Sequence, residues 1–292
     1  MEENRENQLQ PIGEILGQVI GSTGINSTPQ EPAPLKCEFC RAELRYRRLE
    51  ITRGYITWLS PNPCTCPGAL HDAEMRLKKA IADGLEEKER QRKLERERLL
   101  KKSGLPAKYH QATIDSVKVT ELNAQAIEAV RKYIQNQAGG LIFLGPVGTG
   151  KTHLAACVAN AFLDDLKRVT FGSVVNLLGR IRRSYSRDTP EGETQQEEEW
   201  QIIDELTTVP LLVLDDLGKE RVKDWVEEIL FRVIDTRYSE KRPLVVTTNF
   251  SPEDLQERYP EKGCAIMSRL AEMCTGIYLG GDDWRKAWMK AL

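Results

Sequence analysis

The feature that most constrains this chain is a glycine-rich loop at residues 145–152, which stands between an apolar run and a helix-like segment. Its sequence, Gly-Pro-Val-Gly-Thr-Gly-Lys-Thr, fits the pattern G-x-x-x-x-G-K-[ST] at every fixed position. The apolar residues 141–144 before it predict a buried strand, and the residues from His153 onward predict a helix. Because such a loop collects backbone N–H groups at a helix N-terminus, it predicts a binding site for phosphate groups.

The residues of this loop have separate expected roles in holding a nucleoside triphosphate. Lys151 is expected to reach the β- and γ-phosphates, and the Thr152 hydroxyl is expected to bind Mg²⁺. The glycines allow the backbone to turn inward around phosphate oxygens. The alternative is a strand-to-helix turn without a ligand, which the matching strand and helix disfavour. The predicted nucleotide-binding residues are Gly145, Pro146, Val147, Gly148, Thr149, Gly150, Lys151, Thr152 and His153.

A second apolar run, residues 210–214, ends in the acidic pair Asp215-Asp216. Acidic residues at the carboxyl end of a parallel strand lie beside a phosphate loop, where a hydrated Mg²⁺ needs a carboxylate. We therefore assign Asp215 to the metal and Asp216 to the polarisation of the water that attacks the γ-phosphate. The alternative is that both aspartates are solvated loop residues.

Length and charge exclude several classes of protein. The chain has 292 residues, which exceeds one typical domain, and its net charge of −2 excludes a generally basic nucleic-acid binder. No apolar stretch approaches the ~20 residues that span a bilayer. Residues 1–6 lack the pattern of a signal peptide. The sequence therefore predicts a cytoplasmic protein without membrane contact, whose seven cysteines are reduced thiols or metal ligands.

Changes in composition along the chain predict four segments. Residues 1–35 are rich in Gln, Asn, Glu, Gly and Pro and predict a flexible tail, whose one apolar patch leaves docking on a partner open. Residues 36–71 hold four cysteines, and residues 72–104 predict a charged connector helix with eleven Lys/Arg and eight Asp/Glu. Residues 105–292 alternate strand and helix patterns, which predicts an α/β domain with a parallel sheet flanked by helices.

The cysteines of the second segment form two pairs. Cys37 and Cys40 are separated by two residues, and Cys64 and Cys66 follow after a further 23 residues. Four thiolates in two pairs predict a structural Zn²⁺ site, which would stabilise a unit too small to bury a large core. Because Cys64 and Cys66 would point to opposite sides of an extended chain, His71 could replace one of them as a ligand. Incidental free cysteines are the other interpretation.

The residues between the two pairs predict a β-hairpin. Residues 44–58 alternate apolar and polar side chains around Arg53-Gly54, and a hairpin flanked by cysteine pairs is typical of a zinc ribbon. The ribbon also interleaves basic and aromatic side chains, which leaves three interpretations open: stacking with single-stranded nucleic acid, the two faces of a small ribbon, or a protein-docking surface. These side chains are Arg41, Arg45, Arg47, Arg48, Arg53, Tyr46, Tyr55 and Trp58.

A third strand-like run, residues 243–248, is followed by Asn249, and Arg269 stands twenty residues later in the segment Ile-Met-Ser-Arg-Leu. An amide at this place lies between the phosphate loop and the acidic pair, where it can orient the attacking water. The strand resembles the sensor-1 strand of AAA+ ATPases, and the later segment resembles the one that carries their arginine finger. The resemblance implies catalytic roles for Lys151, Asp216, Asn249 and Arg269. The order of the elements disfavours a P-loop kinase.

Further motifs indicate which group of AAA+ proteins the chain resembles. Only 23 residues follow Arg269, which predicts that the helical lid of most AAA+ proteins is missing. Leu-Asp-Asp-Leu-Gly at 214–218, Ser-Gly-Leu-Pro at 103–106 and Gly-Asp-Asp-Trp-Arg at 281–285 are similar to motifs of the bacterial replicative-helicase loader family, of the DnaC and DnaI type, with its transposition relative IstB. The resemblance extends over residues 35–292.

The resemblance implies ATP-dependent loading of a DnaB-type replicative helicase onto single-stranded DNA, with ATP and Mg²⁺ as cofactors. It also implies self-association through the AAA+ domain and helicase binding by the N-terminal ribbon and helix. Asp216, where many AAA+ proteins have Glu, has a shorter reach to water and implies slow turnover. Two alternatives stay open: an IstB-like helper ATPase of a transposase, and a nucleotide-switched adaptor that does not require hydrolysis.

A helix between the phosphate loop and the acidic strand matches the initiator-type insertion of this family. Arg180, Arg183 and Arg187 project from the side opposite its apolar stripe, and guanidinium groups at helical pitch suit the phosphates of single-stranded DNA. A solvated helix face is the alternative. The acidic residues 188–199 after this helix predict a mobile loop. The apolar stripe consists of Val174, Leu177, Leu178, Ile181 and Tyr185.

Overall fold

The computed structural model describes residues 30–52, 55–184, 199–281 and 283. Contacts divide the chain into two units, Met1–Glu87 and Lys88–Leu292, and the division falls inside one long helix. Among the described residues, no helix is long and apolar enough to cross a membrane. Several predicted features lie outside the described residues: the apolar patch of the tail (Ile12, Ile15, Leu16, Val19 and Ile20), Arg53-Gly54, Tyr185, Arg187, the loop 188–198, Asp282, Trp284 and Arg285.

The N-terminal unit contains two antiparallel strand pairs. The first joins β1 (Leu35–Lys36) to β2 (Glu43–Leu44), and the second joins β3 (Arg47–Thr52) to β4 (Tyr55–Leu59). Apolar and polar side chains alternate along these strands, a pattern typical of antiparallel strands in which one face is more exposed to solvent than the other. The β-hairpin predicted over residues 44–58 is confirmed by the second pair.

The charged helix α1 (Pro67–Lys102) begins five residues earlier than the sequence predicts. Proline at its first position is favourable because that position needs no N–H donor. Leu99, near its end, is its buried residue. Arg76–Asp72 and Lys78–Glu74 form ion pairs of 2.7 Å along its exposed side, and each such pair contributes only ~0.3–0.5 kcal/mol. As predicted, the helix is mostly solvated.

The second unit is built on a parallel sheet. Its strands are β5 (Gly140–Leu144), β6 (Val169–Ser173), β7 (Leu211–Leu217), β8 (Leu244–Thr248) and β9 (Cys274–Tyr278). They lie in the order β6-β7-β8-β5-β9, and every neighbouring pair is parallel. The glycine-rich loop follows β5, the acidic pair ends β7, and β8 lies between these two strands. The order therefore brings the three predicted site elements to one edge of the sheet.

Helices cover both faces of this sheet. Phe143, Val213 and Val245 pack into one core cluster, whereas Leu212 and Val246 pack into the other. Successive strand residues point to opposite faces, so two buried faces require continuous apolar runs. The predicted α/β fold is confirmed. The helices of this unit after α1 are α2 (Ala124–Asn136), α3 (Lys151–Asp164), α4 (Val174–Ser184), α5 (Glu199–Thr208), α6 (Asp224–Ser239), α7 (Pro252–Arg258) and α8 (Gly263–Met273).

The segment after α1 contacts the edge strand β6 of the sheet at Ser103 and Gly104. The carbonyl of Ser103 accepts the N–H of Phe171 on β6 at 2.7 Å. Gly104 has φ +73°, and a Cβ at this position would collide with the carbonyl oxygen of Phe171. Only glycine combines this backbone conformation with so close an approach. The contact directs the following residues, from Pro106 onward, towards the carboxyl end of β5.

Candidate functional site

The glycine-rich loop has the backbone conformation that phosphate binding needs. Gly145, Gly148 and Gly150 have φ values of +136°, +86° and +97°, which glycine adopts without strain. Lys151 begins α3 and is 5% exposed. Its Nζ donates to the carbonyl oxygens of Gly145 and Pro146 at 2.7 and 2.6 Å. The ammonium group therefore lies inside the loop, close to the backbone groups that would surround a phosphate.

The two predicted Mg²⁺ ligands are in direct contact. Thr152 Oγ1 donates to Asp215 Oδ1 at 2.9 Å, and Thr247 Oγ1 donates to the same oxygen at 2.7 Å. Burial raises the pKa of the Asp215 carboxyl, while the hydrogen bonds from Thr247 and Thr152 oppose that rise. A hydroxyl beside a carboxylate is a donor set that suits a hydrated Mg²⁺. The sequence analysis did not predict a role for Thr247. Its position two residues before Asn249, on the same strand, is the sequence feature that could have indicated it.

Asp216 has a strained backbone at the end of β7. Its φ is +61°, and the pairing of β7 with β8 shifts register between Leu214 and Leu217. Its N–H donates to Thr247 Oγ1 at 2.9 Å, and its Oδ1 pairs with Lys219 Nζ at 2.7 Å. A non-glycine residue with positive φ persists where surrounding contacts hold it, which is common at functional sites. The strain turns Asp216 away from the regular strand path.

A cavity of about 550 Å³ connects these groups, a volume typical of small-molecule sites. Its lining includes the loop residues 147–153 together with Asp215, Asp216, Lys219 and Asn249. The structure thus brings Asn249 to the acidic pair, as the sequence predicts. The cavity can hold phosphates on the loop and a metal at Asp215, with Asp216 and Asn249 beside them.

A second wall of the cavity is apolar and aromatic; the sequence predicts His153 on the nucleotide but not the other residues of this wall. The rings of Tyr109 and His153 meet edge to face, with centroids 5.9 Å apart. Burial lowers the pKa of His153, which favours its neutral form. Pro106, Val117 and Leu279 line the same wall. A planar base fits such a surface, whereas phosphate does not.

Arg269 does not line this cavity. It lies on α8, and its Nε donates to Asp235 Oδ1 on α6 at 2.8 Å. Its guanidinium also lies over the ring of Tyr238, 4.7 Å from the centroid. The side chains of Arg269 and Asp235 are 36% and 34% exposed, so this ion pair is at the surface. The structure therefore separates Arg269 from the nucleotide site of its own chain.

Two arginines of the predicted row, Arg180 and Arg183, lie on α4. Arg183 is exposed, whereas Arg180 is half-buried and pairs with Glu205 on α5 at 2.9 Å. Arg187 is outside the described residues. The pairing of Arg180 with Glu205 was not predicted, because it joins two helices through tertiary contact. The buried residues of the stripe are Val174, Leu177, Leu178 and Ile181.

The four cysteines converge on one point. The Sγ atoms of Cys37, Cys40, Cys64 and Cys66 all lie within 4.8 Å of one another. Cys66 stands directly before α1, and its carbonyl accepts the N–H of Leu70 at 3.0 Å in the first turn of that helix. His71 is not part of this cluster among the described residues. The structure therefore favours Cys64 and Cys66, rather than His71, as partners of the first pair.

The cluster has the chemistry of a tetrahedral metal site. Backbone N–H groups of Cys40 and Phe39 lower the pKa of the Cys37 thiol to about 6. The N–H of Cys66 acts in the same direction on Cys64, but the neighbouring Cys40 thiol and burial outweigh it and raise its pKa to about 12. Several thiolates this close repel one another unless a cation lies between them. Four sulfur donors fit Zn²⁺ and leave no open position for catalysis.

Comparison with known proteins places this geometry in a family. The family model described as IstB-like ATP binding protein matches residues 70–291. This chain belongs to the IstB-like family. The family assignment implies ATP and Mg²⁺ as cofactors in general and supports ATPase activity in general. The cysteine cluster, at residues 37–66, lies outside the matched region.

Relatives of this chain include helicase loaders and an insertion-sequence protein. The replicative helicase loader DnaC of Escherichia coli strain K12 is 29% identical over 183 residues, which is 61% of this chain and 71% of DnaC. The replicative helicase loader DnaI of Bacillus subtilis strain 168 is 24% identical over 69% of this chain and 65% of its own. The insertion sequence IS232 putative ATP-binding protein of Bacillus thuringiensis subsp. berliner is 26% identical over 55% and 61%.

Solved structures agree with the AAA+ fold. The crystal structure of the DnaC helicase loader superposes with a TM-score of 0.51 at 26% identity, covering 60% of this chain and all of that one. The AMPPCP-bound DnaA of Aquifex aeolicus has a TM-score of 0.51 at 21% identity, over 64% of this chain and 55% of that one. The second likeness shows the fold alone. The predicted AAA+ fold and the likeness to the DnaC and DnaI group are confirmed.

Proposed function

We propose that this chain is an ATP-dependent loader of a DnaB-type replicative helicase onto single-stranded DNA. The observation that carries the proposal is the match to proteins named as replicative helicase loaders, which for DnaC extends over the whole of its solved structure. The nucleotide cavity supports it, because the loop, the acidic pair and the water-orienting amide meet there.

The ATPase chemistry follows from the cavity. Lys151 holds the terminal phosphates, and Thr152 with Asp215 binds Mg²⁺. Asp216 accepts the proton of the attacking water, which Asn249 orients. For this role the Asp216 carboxylate leaves Lys219 and contacts the attacking water instead. Breaking the ion pair costs little free energy, because the side chain of Lys219 is 43% exposed and solvent screens the pair.

In this proposal, the N-terminal ribbon and helix bind the helicase. Residues 36–71 form a ribbon stabilised by Zn²⁺ on Cys37, Cys40, Cys64 and Cys66, residues 72–104 form the connector, and residues 105–292 form the ATPase domain. Exposed apolar side chains beside the cysteine cluster support a docking role. Phe39 is 51% exposed and packs against Gly68, and Leu35 and Leu70 are similarly exposed. Solvent-facing apolar groups on a small ribbon are typical of a protein interface.

The remaining roles concern DNA and neighbouring copies of the chain. Arg183, together with Arg180 and Arg187, contacts the phosphates of single-stranded DNA. Arg269 acts as an arginine finger on the ATP of an adjacent chain, which its distance from its own cavity supports. When chains assemble side by side, the Arg269 guanidinium leaves Asp235 and contacts the transferring phosphoryl group of the adjacent chain. The chain functions in the cytoplasm, where the replicative helicase is.

A transposition helper is the second candidate, and the similarity to the IS232 protein favours it. Such a helper acts with a transposase on double-stranded DNA. Co-purification of the full-length chain with the replicative helicase of its host separates the two. Retention of the helicase supports the loader, and retention of a transposase instead of the helicase would contradict it. A turnover of ATP that single-stranded DNA stimulates would further exclude a nucleotide-switched adaptor without hydrolysis.

A further inference from the structure

Glu227 is a buried carboxylate that the chemistry described above does not use. It lies on α6 and is 1% exposed. Its Oε2 accepts the backbone N–H groups of Glu261 and Lys262 at 2.9 and 2.8 Å. Glutamate is rarely buried unless its charge is satisfied by donors. The contact is therefore a specific feature of the fold, and it joins α6 to the start of another helix.

That other helix is α8, which carries Arg269. Lys262 is the residue directly before α8, and its own side chain does not cap the helix. A negative charge is favoured at this end of a helix by the helix dipole. Glu227 thus binds, from α6, the two N–H groups directly before α8 and places its carboxylate at the start of that helix. The turn is tight, since a Cβ at Gly263 would collide with the carbonyl of Gln256.

The same helix α6 meets α8 again at Arg269. Asp235, which pairs with Arg269, and Tyr238, whose ring lies under its guanidinium, both belong to α6. That contact is partly exposed and is broken when Arg269 reaches another chain. The buried contact at Glu227 is not affected by this movement. It is therefore a buried polar contact between α6 and the start of α8 that persists while Arg269 acts.

We infer that Glu227 is a positioning residue for Arg269, because it fixes α8 along its axis and with it the point that the guanidinium reaches. This inference rests on the proposed action of Arg269 on an adjacent chain. Ile266 and Leu270 hold α8 against the core, but apolar contacts are non-directional and allow a helix to slide. A displacement of about 1 Å in a catalytic group costs up to ~10²-fold in rate.

Mixed assemblies of full-length chains test this role. A chain with Arg269→Ala keeps its nucleotide site, and a chain with Lys151→Ala donates its Arg269, so their mixture should hydrolyse ATP. Glu227→Ala is then added to one chain at a time. In the donor chain it should lower the turnover of the mixture by up to ~10²-fold while KM for ATP is unchanged. In the acceptor chain it should change nothing, because that chain presents no arginine.

Two variants make the comparison specific. Glu228→Ala in the donor chain is the matched control, since Glu228 is the next residue and is exposed, and it should leave turnover unchanged. Glu227→Gln in the donor chain should restore most of the rate, because its amide oxygen accepts the same two N–H groups. An equal loss in both chains, or no loss in the donor, would overturn the positioning role. If the first mixture is inactive while the wild-type chain hydrolyses ATP, the action of Arg269 between chains is itself overturned, and this inference with it.

Discussion

At the scale of single residues, the nucleotide site depends on a threonine that no motif singles out. Thr247 is fully buried, and its hydroxyl joins the Asp215 carboxylate to the N–H of Asp216. A residue that orients a metal ligand typically contributes ~10–100-fold in activity. Thr247→Val should therefore lower ATP turnover by a factor in that range, and Thr247→Ser should retain the rate. Steady-state hydrolysis measures both, and a wild-type rate for Thr247→Val would contradict the assignment.

Asp216 should be necessary for hydrolysis but not for binding. Asp216→Asn removes the proton acceptor and keeps the size of the side chain, so nucleotide affinity should persist while turnover is lost. Asp224→Asn is the control, because Asp224 is an exposed aspartate at the start of α6. A fluorescent ATP analogue measures affinity, and phosphate release measures turnover. Hydrolysis by Asp216→Asn at the wild-type rate would show that another group accepts the proton.

At the scale of single elements, the ribbon should depend on its metal for folding. Its strands are short, and its cysteines lie close enough to share one ion. Metal analysis of the purified chain should find about one zinc per chain. The double change Cys37→Ser and Cys40→Ser should remove that zinc and abolish helicase binding. ATP binding should persist, because the nucleotide cavity lies entirely in the other unit.

Cys264→Ser serves as the control for the zinc experiment, since Cys264 is exposed and lies far along the chain, on α8. It should leave both zinc content and helicase binding unchanged. Purified chain that contains no metal and still binds the helicase normally would refute the role of the ribbon cysteines.

The arginine helix α4 should contribute to the salt dependence of DNA binding. Alanine at Arg180, Arg183 and Arg187 together should weaken affinity for single-stranded DNA and flatten its dependence on salt, since fewer counterions are released. The buried stripe is unchanged, so the fold should persist. Unchanged affinity and salt slope in the triple variant would make these arginines a solvated helix face.

At the scale of the whole molecule, the predictable parts are those that local sequence determines. The glycine-rich loop, the acidic pair and Asn249 each follow a strand-like run, and motif spacing alone predicts where they meet. Thr247 and the packing of Tyr109 against His153 escaped prediction, because these contacts arise when distant segments pack together. Arg237 also escaped: it is fully buried and donates to backbone carbonyls of Leu206 and Val209, which no local pattern indicates.

The proposal that this chain, with ATP, places the replicative helicase on DNA is tested by a loading reaction on circular single-stranded DNA. Full-length chain, the host's replicative helicase and ATP are mixed with the circle, and helicase that remains on the circle is recovered by size exclusion. Helicase should be recovered on the circle with the wild-type chain and little of it with Lys151→Ala, which lacks the cation that holds the terminal phosphates. Equal recovery with Lys151→Ala, or with no chain added, would contradict the claim.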